Sequence, residues 1–229
     1  MQKITQIDLF GLNDREIQGA IFDLDGVLVD TAKYHYLAWK RLAAEMGFDF
    51  KEIDNEKLKG VSRMRSLDIL LETGGITLSE PQKEDAANRK NAWYVEYLYA
   101  LDETALLPGS QEYLRLLKEN GIRIALGSAS RNAPLILKNV NIIDMFDAVI
   151  DGNSVSKAKP DPEVFAKGAK ALGLAPGFCV VFEDALAGIE AAKAGGMKAI
   201  GVGKADIIPG ADRYVQSLAE MLNKSPFSD

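Results

Sequence analysis

Two aspartates, Asp23 and Asp25, are separated by one residue and follow the apolar run at residues 20–22, with Gly26 directly after them. A short apolar run that ends in charge and glycine is typical of a buried parallel strand that stops at a sheet edge. Ligands of open α/β sheets bind outside the carboxyl ends of the strands. The two carboxylates therefore stand where chemistry takes place, unless they belong to an ordinary solvated loop.

Further apolar runs predict more strands, and polar groups follow three of them. Because the carboxyl ends of parallel strands meet at one edge of a sheet, these groups should converge on the two aspartates. The runs are residues 122–126, 148–150, 179–182 and 199–202, and the groups after the first three of them are Ser128, Ser130, Arg131 and Asn132; Lys157 and Lys159; and Glu183 and Asp184. This convergence favours a reactive site over a solvated loop.

The gathered residue types indicate phosphoryl chemistry. Three or four carboxylates with few other metal donors suit a hard cation, Mg²⁺ above all, and a chain with one histidine and one cysteine does not predict a zinc site. The Ser128 hydroxyl, its backbone amides and a lysine form a compact site for a phosphoryl group. One aspartate can attack phosphorus to form an aspartyl-phosphate, and the other can exchange a proton with a hydroxyl.

The composition excludes several other classes of protein. The net charge is −6 and no long basic run is present, so neither nucleic acid nor a membrane surface is an expected partner. No stretch approaches about 18 consecutive apolar residues, and residues 1–18 lack the apolar core of a secretory signal, so a cytoplasmic protein is expected. Cys179 lies in an apolar run, which favours a buried structural thiol over a nucleophile.

The elements that must position these groups fall into two kinds. Residues 33–103 show helical patterns and little that indicates strands. They include a loop over residues 58–63 with Ser62 as a candidate helix cap, a short predicted helix over residues 66–72 and a long helix that begins at Ser79. Asp30 or Thr31 is the expected N-cap of the helix that leaves the first strand.

After residue 104 strands alternate with helices, and the last predicted element is a helix over residues 215–222. Such alternation requires crossover connections and a parallel sheet. The prediction is therefore an α/β fold with a doubly wound, Rossmann-like core formed by residues 1–32 and 104–229. An all-α helical cap domain, residues 33–103, is inserted after the first strand.

Four motifs resemble the haloacid dehalogenase superfamily of phosphoryl-transfer enzymes: FDLDGVLVDT, GSAS, KAKPDPEVF and VFEDALAGIEAAKAGG. The resemblance implies that Asp23 is the nucleophile and Asp25 the general acid/base, and that Ser128 and Lys159 bind the transferring phosphoryl group. It also implies a Mg²⁺ cofactor held by Asp23, the backbone carbonyl of Asp25, Glu183 and Asp184. An aspartate at position 25 is similar to the phosphatases and mutases of the superfamily, not to its dehalogenases.

Within the superfamily the chain most resembles the β-phosphoglucomutase group, through DTAKYHYLAWK, LKGVSR, RKN and SASRN. By this resemblance His35 couples Asp25 to closure of the cap, and Arg63 with Ser130, Arg131 and Asn132 holds a second phosphate. A bidentate arginine suits that task. The predicted substrate-binding set is Trp39, Lys59, Gly60, Val61, Ser62, Arg63, Ser66, Lys90, Ala129, Ser130, Arg131 and Asn132, in which Trp39 has interdomain packing as its alternative role.

The expected activity is interconversion of β-glucose 1-phosphate and glucose 6-phosphate, through an aspartyl-phosphate and a glucose 1,6-bisphosphate. A Mg²⁺-dependent sugar-phosphate or phosphoglycolate-type phosphatase on the same scaffold is the first alternative, and a non-catalytic sugar-phosphate-binding regulator is the second. The expected partner is a small sugar phosphate, and a monomer is expected. Two residues depart from the resembled pattern: Arg131 replaces a lysine, and Ala185 replaces a common serine.

Overall fold

The computed structural model describes residues 8–12, 16–58 and 61–222. Within them the fold is α/β, as predicted, and its sheet has six parallel strands in the order β3-β2-β1-β4-β5-β6. The strands are β1 (Gly19–Phe22), β2 (Arg123–Gly127), β3 (Ala148–Ile150), β4 (Cys179–Glu183), β5 (Lys198–Val202) and β6 (Arg213–Val215).

Nine α-helices accompany this sheet in the described part of the chain. They are α1 (Ala32–Glu45), α2 (Glu52–Asn55), α3 (Arg63–Gly74), α4 (Glu80–Leu98), α5 (Ser110–Glu119), α6 (Ala133–Asn139), α7 (Glu163–Ala171), α8 (Leu186–Ala194) and α9 (Ala219–Leu222). None of them combines the length and the apolar character that a membrane span needs.

The sheet is buried on both faces, as a parallel sheet requires. Phe22 of β1 stacks on Phe182 of β4 with ring centroids 4.6 Å apart, and Tyr113 of α5 packs edge-on against both rings. On the opposite face, Ile21 joins a separate apolar cluster that includes Phe165 of α7. Alternate residues of β1 therefore anchor two layers of helices, and this fixes the position of the strand end that carries Asp23.

Helices α1 to α4 enclose an apolar cluster of their own, which includes Trp39, Leu42, Phe50, Leu67 and Leu70. The all-helical pattern predicted here is confirmed as secondary structure, whereas the domain boundaries at residues 33 and 103 stay a prediction. Two adjacent segments lead into and out of these helices, residues 28–30 and 105–107. They are joined by backbone hydrogen bonds of 2.9 Å.

Two predicted helices differ from the observed ones. The short helix predicted over residues 66–72 is α3, which begins earlier because the Ser62 side chain accepts a hydrogen bond from the Arg65 N–H and caps it. The prediction of a helix over residues 215–222 was wrong for the first half of that range. Val215 belongs to β6, pairs with Val202 of β5 and is buried, so only α9 is helical.

Candidate active site

Asp23 is the first residue after β1, and its backbone N–H continues the pairing by donating to the Phe182 carbonyl at 2.9 Å. Its side chain is buried and accepts a hydrogen bond of 2.5 Å from Lys159 Nζ. The same ammonium group donates to Glu183 Oε2 at 2.8 Å. One buried lysine from the loop after β3 therefore joins carboxylates from the ends of β1 and β4.

Electrostatics keep this lysine charged. Burial alone would lower the pKa of Lys159, but the carboxylates of Asp23 and Glu183 raise it overall. Burial raises the pKa of Glu183 against the opposing effect of Lys159, and the Ala185 N–H donates to Glu183 Oε1 at 3.1 Å. The backbone amide of Ala185 therefore supports the carboxylate at the position where a serine hydroxyl is common.

Three carboxylates can offer ligands to one metal ion. Oxygens of Asp23, Glu183 and Asp184 all lie within 4.8 Å of one another. Close to them, a Cβ atom at Gly26 would lie 2.1 Å from Asp184 Oδ2, so only glycine leaves room for that carboxylate. The three carboxylates offer only oxygen ligands, and the single ammonium group of Lys159 does not balance their charge. Such a set fits a hard divalent cation. The choice of Mg²⁺ and the contribution of the Asp25 carbonyl stay predictions.

Asp25 lies two residues further on, and its carboxylate accepts a hydrogen bond from Thr31 Oγ1. Burial and the neighbouring charge of Asp23 raise the pKa of Asp25 to about 6, against the lowering effects of Thr31, Lys159 and Lys90. A carboxyl group with this pKa can both hold and release a proton near neutrality. Thr31 occupies the N-cap position of α1, but its hydroxyl makes no capping hydrogen bond. Of the two predicted caps, Asp30 accepts a hydrogen bond from the Ala32 N–H at 3.3 Å.

A buried cluster from α1 and α4 faces Asp25. His35 Nδ1 lies 3.0 Å from Lys90 Nζ, and the His35 ring stacks on Tyr94 with centroids 4.0 Å apart. Lys90 Nζ lies over the rings of Trp39 and Tyr94, at 4.5 Å and 4.6 Å, and burial and then the charge of Arg63 hold the pKa of Lys90 well below its usual value. Burial and the charge of Lys90 hold the pKa of His35 well below its usual value, so the imidazole is neutral. The predicted coupling of His35 to Asp25 stays a prediction.

A second group of polar residues forms the other end of the site. Burial, and then the charge of Arg131, lowers the pKa of Arg63. The Asn132 side chain donates to Asn91 Oδ1 at 2.9 Å, and the Asn132 backbone N–H donates to Ser130 Oγ at 3.3 Å. Two arginines that repel each other beside amide and hydroxyl groups form an arrangement that an anion would stabilise.

A cavity of about 1310 Å³ joins these groups. The predicted residues that line it are Asp23, Asp25, His35, Trp39, Val61, Ser62, Arg63, Ser66, Lys90, Ser128, Ala129, Ser130, Arg131, Asn132, Lys157 and Asp184. Lys159 bonds to Asp23, which lines the cavity, and Glu183 bonds to Lys159. Lys59 and Gly60 lie outside the described residues.

Thr31, Asn91 and Tyr94 also line the cavity but are absent from the predicted site. The sequence predicts Thr31 only as a helix cap, and Tyr94 is one of several aromatic residues in a long helix. Asn91 is singled out only by the RKN motif, which assigns it no specific role. A hydroxyl six residues after Asp25 is the signal that points to Thr31.

A comparison with protein families matches residues 17–196 to haloacid dehalogenase-like hydrolases. The chain belongs to this family. It is 42% identical to the β-phosphoglucomutase of Bacillus subtilis, over 90% of this chain and 92% of that protein. It is 33% identical to a phosphorylated carbohydrates phosphatase of Thermotoga maritima, over 80% of this chain and 84% of that protein.

A crystal structure of β-phosphoglucomutase from Clostridium difficile has the same fold, with a TM-score of 0.86 and 42% sequence identity. The alignment covers 89% of this chain and 92% of that one. The chain is therefore an enzyme of the haloacid dehalogenase superfamily, a β-phosphoglucomutase or a related phosphatase.

Proposed function

We propose that this enzyme is a phosphomutase that interconverts β-glucose 1-phosphate and glucose 6-phosphate. The observation that supports the proposal is that one cavity is lined by Asp23 and Ser128 and also by two arginines, Arg63 and Arg131. Asp23, Ser128 and Lys159 form the reactive end, and Arg63 with Arg131 forms a second cationic end. A bisphosphate intermediate needs both ends, whereas a simple phosphatase needs only the first. The 42% identity to a β-phosphoglucomutase supports the same choice.

The reaction begins at Asp23, which carries a phosphoryl group as an aspartyl-phosphate. The C6 hydroxyl of β-glucose 1-phosphate attacks phosphorus, Asp25 takes the hydroxyl proton, and the bond from phosphorus to the Asp23 oxygen breaks. The products are glucose 1,6-bisphosphate and a free Asp23 carboxylate. Lys159 stabilises that carboxylate at 2.5 Å, and the Ser128 hydroxyl with its neighbouring amides holds the phosphoryl oxygens.

The bisphosphate then turns round, so that its C1 phosphate lies at Asp23 and its C6 phosphate at Arg63. Asp23 attacks the C1 phosphorus, the bond to the sugar oxygen breaks, and protonated Asp25 returns its proton to that oxygen. Glucose 6-phosphate leaves and the aspartyl-phosphate is restored. A divalent cation bound by Asp23, Glu183 and Asp184 would offset the negative charge of the transferring group.

We further propose that residues 33–103 form a cap that closes over the reacting groups. The helices pack around their own apolar cluster, the chain enters and leaves them through two adjacent segments, and two side-chain hydrogen bonds from α6 reach α4. Such an arrangement allows the helices to move as a unit and to exclude water from the aspartyl-phosphate. Exclusion of water is what separates a mutase from a phosphatase on one scaffold.

A Mg²⁺-dependent phosphatase is the second candidate, because the chain is 33% identical to a phosphatase of phosphorylated carbohydrates. A coupled assay with β-glucose 1-phosphate and a trace of bisphosphate separates the two. Formation of glucose 6-phosphate that is lost in Asp23→Ala supports the mutase. Release of inorganic phosphate without an isomerised sugar would establish the phosphatase instead.

A further inference from the structure

Two asparagine side chains join α4 to α6 at matching positions. Asn132 Nδ2 donates to Asn91 Oδ1 at 2.9 Å, and Asn139 Nδ2 donates to the Leu98 carbonyl at 2.8 Å. Seven residues separate the two contact points on each chain segment, which is about two helical turns. The two helices therefore run parallel and in register along this contact.

The two contacts differ in what they fix. Asn139 bonds to the backbone of the last residue of α4, and that carbonyl also accepts the Leu101 N–H at 3.0 Å. This end anchors the helix itself. Asn132 bonds to a side chain, and both Asn91 and Asn132 are half-buried and line the cavity. The Asn91 end of the contact therefore faces the space that a substrate would occupy.

The contact with Asn91 sets the orientation of the Asn132 amide. A primary amide carries two N–H groups, and this contact uses one of them. The Asn132 backbone N–H is held in turn by Ser130 Oγ. An amide fixed at both its side chain and its backbone loses little rotamer freedom when an anion binds to it. Asn91 thus supplies orientation without carrying charge.

We propose that Asn91 is a positioning residue, which acts through Asn132 on the phosphate held at the Arg63 end of the cavity. The inference rests on the proposed function, because it assigns a binding role to that end. It predicts that the effect of Asn91 depends on Asn132 and on a substrate that carries a second anionic group.

A double-mutant cycle tests this dependence. Wild type, Asn91→Ala, Asn132→Ala and the double variant are assayed with Mg²⁺ and two probes, glucose 1,6-bisphosphate and p-nitrophenyl phosphate. In Asn91→Ala the KM for the bisphosphate should rise about two- to tenfold, the change expected for one hydrogen bond. The kcat and KM for p-nitrophenyl phosphate should not change. In the Asn132→Ala background, Asn91→Ala should add nothing.

Controls separate positioning from structure. Glu96→Ala alters an exposed residue of α4 outside the cavity and should leave every parameter unchanged. Asn91→Leu keeps the branched shape of the side chain, removes the acceptor and should repeat the effect of Asn91→Ala if the smaller variant folds poorly. Additive effects in the cycle would overturn the proposal, because Asn91 would then contact the ligand directly. Equal effects on both probes, or no effect, would also overturn it.

This experiment distinguishes its own failure from failure of the proposed function. The KM for the bisphosphate can be measured whether the enzyme isomerises sugars or only hydrolyses them. A wild type that releases phosphate without isomerisation would refute the mutase and leave the cycle interpretable. A working mutase with an additive cycle would refute the role of Asn91 alone.

Discussion

Lys159 is the residue on which the balance of charge in the site depends. Its side chain is 1% exposed and bonds to both Asp23 and Glu183, whereas Lys157, two residues earlier, is 70% exposed. Removing the buried ammonium leaves two carboxylates without a cation in a region from which water is excluded. An uncompensated buried charge is strongly destabilising, and the transferring phosphoryl group also loses its donor.

Lys159→Met should therefore lower kcat by about 10²–10³-fold. In metal-free protein it should also lower the free energy of unfolding by about 3–5 kcal/mol. Steady-state kinetics and urea denaturation in the presence of a chelator measure the two effects. Lys170→Met alters an exposed lysine of α7 outside the cavity, so it is the control and should leave both quantities unchanged. Equal losses in the two variants would contradict the assigned role of Lys159.

Thr31 affects the proton on Asp25. Its hydroxyl donates a hydrogen bond to the Asp25 carboxylate, and this bond favours the ionised form and lowers the pKa. Thr31→Val keeps the shape of the side chain and removes the donor, so the pKa of Asp25 should rise above its value of about 6. In metal-free protein, carbon-13 NMR of the aspartate carboxyl groups should show this titration at higher pH.

The same change should shift the pH profile of the reaction. Because Asp25 then stays protonated to higher pH, the limb of kcat/KM that requires its ionised form should move upward in pH. Thr73→Val removes an exposed hydroxyl of α3 that bonds to the Ile69 carbonyl, and it should move neither quantity. A shift to lower pH would mean that Thr31 is not the donor that sets this pKa.

Local sequence was enough to predict which polar residues meet at one edge of the sheet, whereas their catalytic roles stay predictions. Asp23, Ser128 and Glu183 stand at or just after a strand end, Lys159 lies in the loop after β3, and parallel strands bring such ends together. Thr31 and Tyr94 were not predicted, because their positions depend on how α1 and α4 pack over Asp25. Helix periodicity alone does not determine that packing.

At the scale of elements, the turn after β1 is the feature that forms the carboxylate cluster. Gly26 has a φ of +81°, and a Cβ atom there would lie 2.1 Å from Asp184 Oδ2. Gly47 also has a positive φ, +86°, but a Cβ atom there would meet no other atom within 4 Å. An alanine at position 47 would therefore introduce backbone strain alone. An alanine at position 26 would introduce the same strain and would also collide with the Asp184 carboxylate.

Both Gly26→Ala and Gly47→Ala should lose about 1–2 kcal/mol of stability from strain. Only Gly26→Ala displaces Asp184, so only this variant should weaken Mg²⁺ binding, by about 10–100-fold. Calorimetric titration of the metal-free proteins with Mg²⁺ measures the difference. Comparable Mg²⁺ affinities in the two variants would show that Asp184 does not hold the cation.

The elements themselves were predicted with uneven success. The five predicted strands, each marked by an apolar run, are all present, whereas β6 was missed. Its sequence, RYV, contains no apolar run, and its pairing with β5 gives no local signal that distinguishes it from the start of a helix. Helix α3 was predicted too short because Ser62 lies within a segment that reads as a loop.

At the scale of the whole molecule, the proposed choice of substrate depends on two groups of residues that line one cavity. A phosphatase would share the motifs at the strand ends. Helices α3 and α4 contribute Arg63 and Lys90 to the same cavity. Their composition indicates helices, but the way they face the sheet edge follows only from the packed structure.

The central claim is that the aspartyl-phosphate is transferred to a sugar and not to water. Phosphorus-31 NMR of β-glucose 1-phosphate with enzyme, Mg²⁺ and a trace of glucose 1,6-bisphosphate measures this directly. Glucose 6-phosphate should accumulate as β-glucose 1-phosphate disappears. In a parallel sample, α-glucose 1-phosphate should stay unchanged. Inorganic phosphate that rises as fast as the substrate falls, with no glucose 6-phosphate signal, would contradict it.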